Sequence, residues 1–321
     1  MFIRASQRRR RAVRAAALVL IAGCLAAALT ACGERSPSSP GGTDKLKVTA
    51  TIGMIADVAG EVGGDHVQVT GLMKAGVDPH LFKASEGDIA KLDGADIIFY
   101  NGLHLEGKMV DILENMGKKK RVVAVSDPID RSKLRSGSQM QTEYDPHIWF
   151  DVRHWMTATE AVRDALAELD PKHAADYRAN AEAYLGQLRD LHDEVTEKIN
   201  TLPEESRVLV TAHDAFGYFG DAYGVKVMGL QGISTASEAG TKDVTDLRDY
   251  LVENKIKAVF IESSVPRKAI DAVIQGAKEK GHDLKIGGEL FSDAMGEEGT
   301  PEGSYIGMVR HNVDTIVAAL K

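Results

Sequence analysis

Two tripeptides in the first half of the sequence match each other, Asp78-Pro79-His80 and Asp145-Pro146-His147. Proline fixes its own φ and pushes the aspartate before it into an extended geometry, so each histidine is presented from a stiff turn. The aspartates, Asp78 and Asp145, are placed to orient the imidazoles through the ring nitrogen that faces away from a metal. One such tripeptide reads as a surface turn; two in the same half of a chain are a stronger signal. A third histidine, His213, directly follows Val208-Leu209-Val210-Thr211-Ala212. That is the carboxyl end of a strand, where ligand-holding residues of parallel sheets belong. In the last quarter, Asp293 sits in Leu290-Phe291-Ser292-Asp293-Ala294-Met295-Gly296, a loop after the final strand candidate. Three imidazoles and one carboxylate, two groups from each half, compose a cage for one divalent cation. Imidazole suits zinc, and a carboxylate that binds through both oxygens also makes room for manganese.

Other residues carry less. His104, near the end of the DIIFYNGLH segment, and Glu238, in the STASEAG loop, are candidates to support the ligands from behind, weighed against ordinary solvation. Glu262 ends an apolar strand and reads as an interior hydrogen-bond or ion-pair partner rather than a catalytic acid. His66, His154, His173, His192, His282 and His311 have no ligand-like context, and Trp149 and Trp155 read as packing anchors. A zinc hydrolase is the competing chemistry. It needs an open coordination position and a general base, but four protein ligands close a tetrahedral site and no HExxH pattern occurs.

The elements that must position these groups alternate along the chain. Strands are predicted at Lys47–Ile52, Val67–Leu72, Asp96–Tyr100 and Arg121–Val125, with helical spacing at Ser85–Leu92 and Leu105–Met116. The pattern returns with strands at Arg207–Thr211, Val225–Leu230, Ala258–Ile261 and Leu284–Ile286, separated by amphipathic Asp243–Asn254 and Arg267–Lys280. Such alternation predicts an α/β fold of two lobes, 45–170 and 202–321, each a parallel sheet flanked by helices. Between them, Tyr177, Ala181, Tyr184, Leu188, Leu191, Val195 and Ile199 recur at steps of four and three from Pro171 onward. This is one apolar face on a linking helix over 171–201, roughly 45 Å long and able to stiffen the relation of the lobes.

The amino terminus sets the compartment. Six arginines between Arg4 and Arg14 precede an apolar run from Ala15 to Leu29, too short for a comfortable membrane span and shaped like a signal-peptide core. Leu29-Thr30-Ala31-Cys32 closes it and resembles a lipobox, in which Cys32 becomes the lipidated first residue of the mature protein. The Pro/Gly/Ser-rich stretch 32–44 is a tether. The only other cysteine, Cys24, falls in the discarded segment, so no thiol remains for metal or redox chemistry. Removal of 1–31 leaves 33 basic against 47 acidic side chains, a formal charge of −14. That balance argues against nucleic-acid binding, which needs concentrated positive charge, and suits a collector of cations.

The chain from about Lys45 onward resembles the TroA-like metal receptors of bacterial ABC importers. The resemblance is carried by VDPHLF around His80, YNGLHLE from Tyr100, DPHIWFD around His147, VTAHDAFGYF around His213, LQGISTASEAG from Leu230, VFIESSVP from Val259 and GGELFSDAMG around Asp293. It implies two α/β lobes joined by a long rigid helix, with one zinc or manganese ion held between them by His80, His147, His213 and Asp293. It further implies a monomeric, lipid-anchored receptor outside the cytoplasm that serves a permease and its ATPase, with a secondary adhesin role in some members. Manganese-specific members often carry glutamate at the position of His213, and many zinc-specific ones carry a His-rich loop. The stretch from Asp127 to Asp145 has no histidine.

Overall fold

The computed structural model describes residues 45–137 and 143–321; the signal peptide, Cys32 and the tether lie outside the described residues. In the first half, four strands form one wholly parallel sheet in the order β2-β1-β3-β4: β1 (Leu46–Ala50), β2 (Val67–Gly71), β3 (Ile97–Tyr100) and β4 (Arg121–Ala124). The central strand β3 is a continuous apolar run, IIFY, buried through Ile97, Ile98 and Phe99, as expected of a strand covered on both faces. The second half contributes β5 (Val208–His213), β6 (Lys226–Gln231), β7 (Ala258–Glu262) and β8 (Lys285–Leu290). They pair in two parallel ladders, β5–β6 and β7–β8, with β5 lying beside β7.

Helices connect the strands: α1 (Gly53–Gly63), α2 (Glu86–Gly94), α3 (Val110–Gly117) and α4 (Val152–Leu169) in the first half. After α5 (Ala174–Asn200) come α6 (Gly217–Tyr223), α7 (Thr241–Glu253), α8 (Lys268–Glu279) and α9 (Tyr305–Leu320). Local chemistry fixes several starts. Ser85 and Asp88 form a capping box on α2, and the Asp151 carboxylate accepts the Arg153 N–H at the start of α4.

The linking helix is present as a 3₁₀ turn, Pro171–His173, running into the 27 residues of α5. Every member of its predicted apolar stripe, from Tyr177 to Ile199, is buried. The stripe packs on α1 and α4 from the first half and on α9 from the second, so one rod braces both halves. The result is a two-lobe α/β architecture. The predicted helix Leu105–Met116 starts only at Val110. Upstream of it Gly102, Leu103 and His104 all take positive φ, which breaks helical continuation and turns the chain around the buried Glu106.

Candidate metal centre

All four predicted ligands lie at or beyond the carboxyl ends of strands. His80 is in the loop after β2 and His147 in the long connection after β4; His213 closes β5, and Asp293 follows β8 by three residues. The fold brings them together, with one ligand atom of each within 4.8 Å of all the others. His80 is 4 % exposed, Asp293 1 %, and both His147 and His213 are fully buried.

The separations have the scale of a coordination shell. Asp293 Oδ1 is 3.3 Å from His147 Nε2, and Asp293 Oδ2 is 3.3 Å from His213 Nε2 and 3.7 Å from His80 Nε2. His80 Nε2 and His147 Nε2 are 3.3 Å apart. Zinc–ligand bonds of ~2.0–2.1 Å in a tetrahedron put neighbouring ligand atoms about 3.3–3.4 Å apart. Among the buried groups without a hydrogen-bond partner are His213 Nε2 and both oxygens of Asp293. Buried polar atoms are costly to leave unsatisfied, and these three face a common centre that could hold a divalent cation.

Electrostatics agrees with a preorganised site. Burial pulls the His80 imidazole down to about 3, so it is neutral and ready to coordinate. Burial also acts against charge on His147, but Asp145 and Asp293 together push it up to about 9. His213 is buried too, and Glu262 and Asp293 hold it well above the usual imidazole range. Asp293 is desolvated, yet His213, His147 and His80 keep its carboxyl well below the usual range. Without metal, the carboxylate is held by imidazolium groups; a cation would take over that role.

The supports differ in part from those predicted. Asp145 Oδ1 lies 2.7 Å from His147 Nδ1 and also accepts the His147 amide at 3.0 Å. Asp78 instead accepts the backbone N–H of His80 at 2.8 Å, fixing the turn rather than the ring. His104 is exposed and outside the cluster. Glu238 is exposed and lines a cavity of about 580 Å³ together with Asp78 and Thr235. The buried carboxylate behind His213 is Glu262, whose Oε2 is 2.5 Å from Nδ1. Two further supports come from loops. Asn101 Nδ2 donates to the Pro146 carbonyl at 2.9 Å, and Trp149 Nε1 donates to the Ser292 carbonyl at 3.0 Å, tying the His147 segment to the Asp293 loop.

This geometry sits on a chain whose residues 48–319 match the family model described as "ZnuA: Zinc-uptake complex component A periplasmic". The chain belongs to the ZnuA family. ZnuA proteins are periplasmic metal-uptake components, not enzymes. Among curated relatives, the chain is 52 % identical to the manganese-binding lipoprotein MntA of Bacillus subtilis, covering 92 % of this chain and 95 % of that one. It is 47 % identical to the zinc-binding protein TroA of Treponema pallidum, covering 96 % and 98 %. The solved periplasmic zinc-binding TroA structure superposes with a TM-score of 0.84 at 49 % identity, over 86 % of this chain and 99 % of that chain. As a ZnuA-family chain, it carries the two-lobe fold and the His-rich centre in one consistent frame.

Proposed function

We propose that this protein is the extracytoplasmic receptor of an ABC-type importer, capturing one zinc or manganese ion as cargo for the permease and its ATPase. His80, His147, His213 and Asp293 are the ligands. The observation that carries this reading is the buried convergence of three imidazoles on a carboxylate whose two oxygens have no other partner. The related chains whose names include manganese binding and zinc binding support either ion as cargo. By ligand softness, three imidazoles favour zinc in simple competition.

In this reading the lobes 45–170 and 202–321 close over the ion, and the helix 171–201 holds their relation. The receptor acts as a monomer, fixed to the membrane by a lipid on Cys32. Among the described residues no helix is long and apolar enough to cross a membrane.

The test is metal titration of purified protein with elemental analysis. One ion per chain is expected, with marked loss of affinity in each of His80→Ala, His147→Ala, His213→Ala and Asp293→Ala. Undiminished binding in all four overturns the ligand assignment. For the anchor, Cys32→Ser is expected to leave unprocessed precursor or to release protein from the membrane fraction. Mature protein that stays with membranes overturns it.

A further inference from the structure

We propose that Thr235 and Tyr218 are positioning residues that clamp the two Asp-Pro-His turns from the second half of the chain and thereby set how slowly a captured ion leaves. The inference rests on the metal-receptor reading above. Thr235, 7 % exposed, lies in the loop between β6 and α7. Its hydroxyl donates to Asp78 Oδ2 at 2.6 Å, while Asp78 Oδ1 accepts the His80 amide at 2.8 Å. Tyr218, in α6, donates its hydroxyl to the Asp145 carbonyl at 2.9 Å and accepts the Arg135 amide at 3.1 Å. Asp145 in turn holds both the amide and the ring of His147. Each first-half ligand is thus presented by an aspartate that a second-half hydroxyl grips.

The approach of α6 to the second turn is built in. A Cβ placed on Gly217 would sit 2.9 Å from Asp145 Oδ2 and 2.5 Å from Arg135 Nε, so the absence of a side chain at the helix start leaves both groups where they are. Arg135 also pairs with Asp221 of the same helix. An ion bound to His80 and His147 on one side and to His213 and Asp293 on the other can leave only when the halves part, because all four ligands are buried. Parting breaks the two hydroxyl bonds together with the metal bonds. They therefore stabilise the closed form and not the open one, and a group with such differential contact shifts the equilibrium between the two.

Thr235→Val exchanges the hydroxyl for a methyl group of similar size, and Tyr218→Phe deletes the hydroxyl alone. The experiment loads the full chain with zinc and mixes it with excess chromogenic chelator in a stopped-flow instrument. Each variant is expected to bind zinc one to one, with an association rate close to that of the unmutated protein. Each is expected to release it about tenfold faster, the scale of one hydroxyl bond to a charged or strongly polar acceptor. Thr235→Ser, which keeps the hydroxyl, should restore slow release. Unchanged release in both variants overturns the clamp, as does fast release in Thr235→Val that serine fails to restore. Absence of saturable zinc binding by the unmutated protein overturns the receptor reading itself, a distinct outcome.

Discussion

One carboxylate holds His213 at two points: Glu262 Oε2 is 2.5 Å from the ring Nδ1 and Oε1 accepts the His213 amide at 2.9 Å. The two residues end neighbouring strands, β5 and β7, so their side-by-side packing aligns the candidate ligand with its support. With Nδ1–H committed to Glu262, Nε2 is the nitrogen left to face the centre.

Glu262→Gln keeps the shape and removes the charge. Metal affinity is expected to fall by ~10–100-fold, the usual cost of losing a carboxylate behind a ligating histidine. Competition titration against a chelator of known affinity measures it. A variant that binds as tightly as the unmutated protein would show that the strand ends alone orient the ring.

Proton release follows from the perturbed imidazoles. In the metal-free protein His147 titrates near 9 and His213 well above its usual range, whereas His80 is already neutral above about 3. Near neutral pH a bound cation therefore competes with protons at His147 and His213, and apparent affinity is expected to rise with pH towards about 9, where His147 titrates. Folding linkage has the opposite sign for the metal-free form. A raised imidazole contributes stability that is fully present below the unfolded value of ~6.5 and is lost as pH rises through about 9. The gap in melting temperature between metal-bound and metal-free protein is thus expected to widen from pH 6.5 to 9. Titration calorimetry in buffers of different ionisation enthalpy counts the protons; zero release contradicts the assignment.

Much of this site is legible from residue order, because its ligands are marked locally. Asp-Pro-His makes its own turn, and His213 ends an apolar strand. The supports are not local. Glu262 reads as an interior partner, but nothing in the sequence says that β7, which pairs with β8, also lies beside β5. Asp78 and Asp145 share one motif yet act differently, because ring orientation depends on what packs around each turn. The helices α1, α4, α6 and α9 carry no predicted counterpart in the alternation. In α4 the buried face combines Val152, Trp155, Val162 and Leu166 with the polar Thr159 and the small Ala158, Ala161 and Ala165, which interrupt the apolar stripe. The stripe of α5 is legible because tyrosine, leucine, valine and isoleucine mark it at regular steps.

That rod can be tested through its core. Leu188 is fully buried at the middle of α5. Leu188→Ala is expected to destabilise the protein by ~2–5 kcal/mol, the range for truncating a buried leucine. Metal stoichiometry should stay at one. Chemical denaturation of metal-free and metal-loaded protein measures both, and a loss under ~0.5 kcal/mol, the size of a surface substitution, would mean the helix is not packed as described.

Substitution at His213 tests metal choice and its dependence on Glu262 together. His213→Glu exchanges a borderline nitrogen ligand for a hard oxygen one, which should lower zinc affinity more than manganese affinity. The geometry adds a condition. Glu262 lies against the Nδ1 side of residue 213, so the new carboxylate would face a second one without the ring N–H between them. Like charges in a buried site repel strongly, and the single variant is expected to lose affinity for both ions. Glu262→Gln in the same chain removes that repulsion and offers an amide N–H to the new carboxylate. The double variant should therefore recover manganese binding further than zinc binding, inverting the usual non-additivity of two damaging changes. Competition titrations with both ions at one fixed pH provide the four affinities. A zinc-to-manganese ratio in the double variant equal to or above that of the unmutated protein would place selectivity in the geometry of the remaining ligands, not in the atom that residue 213 presents.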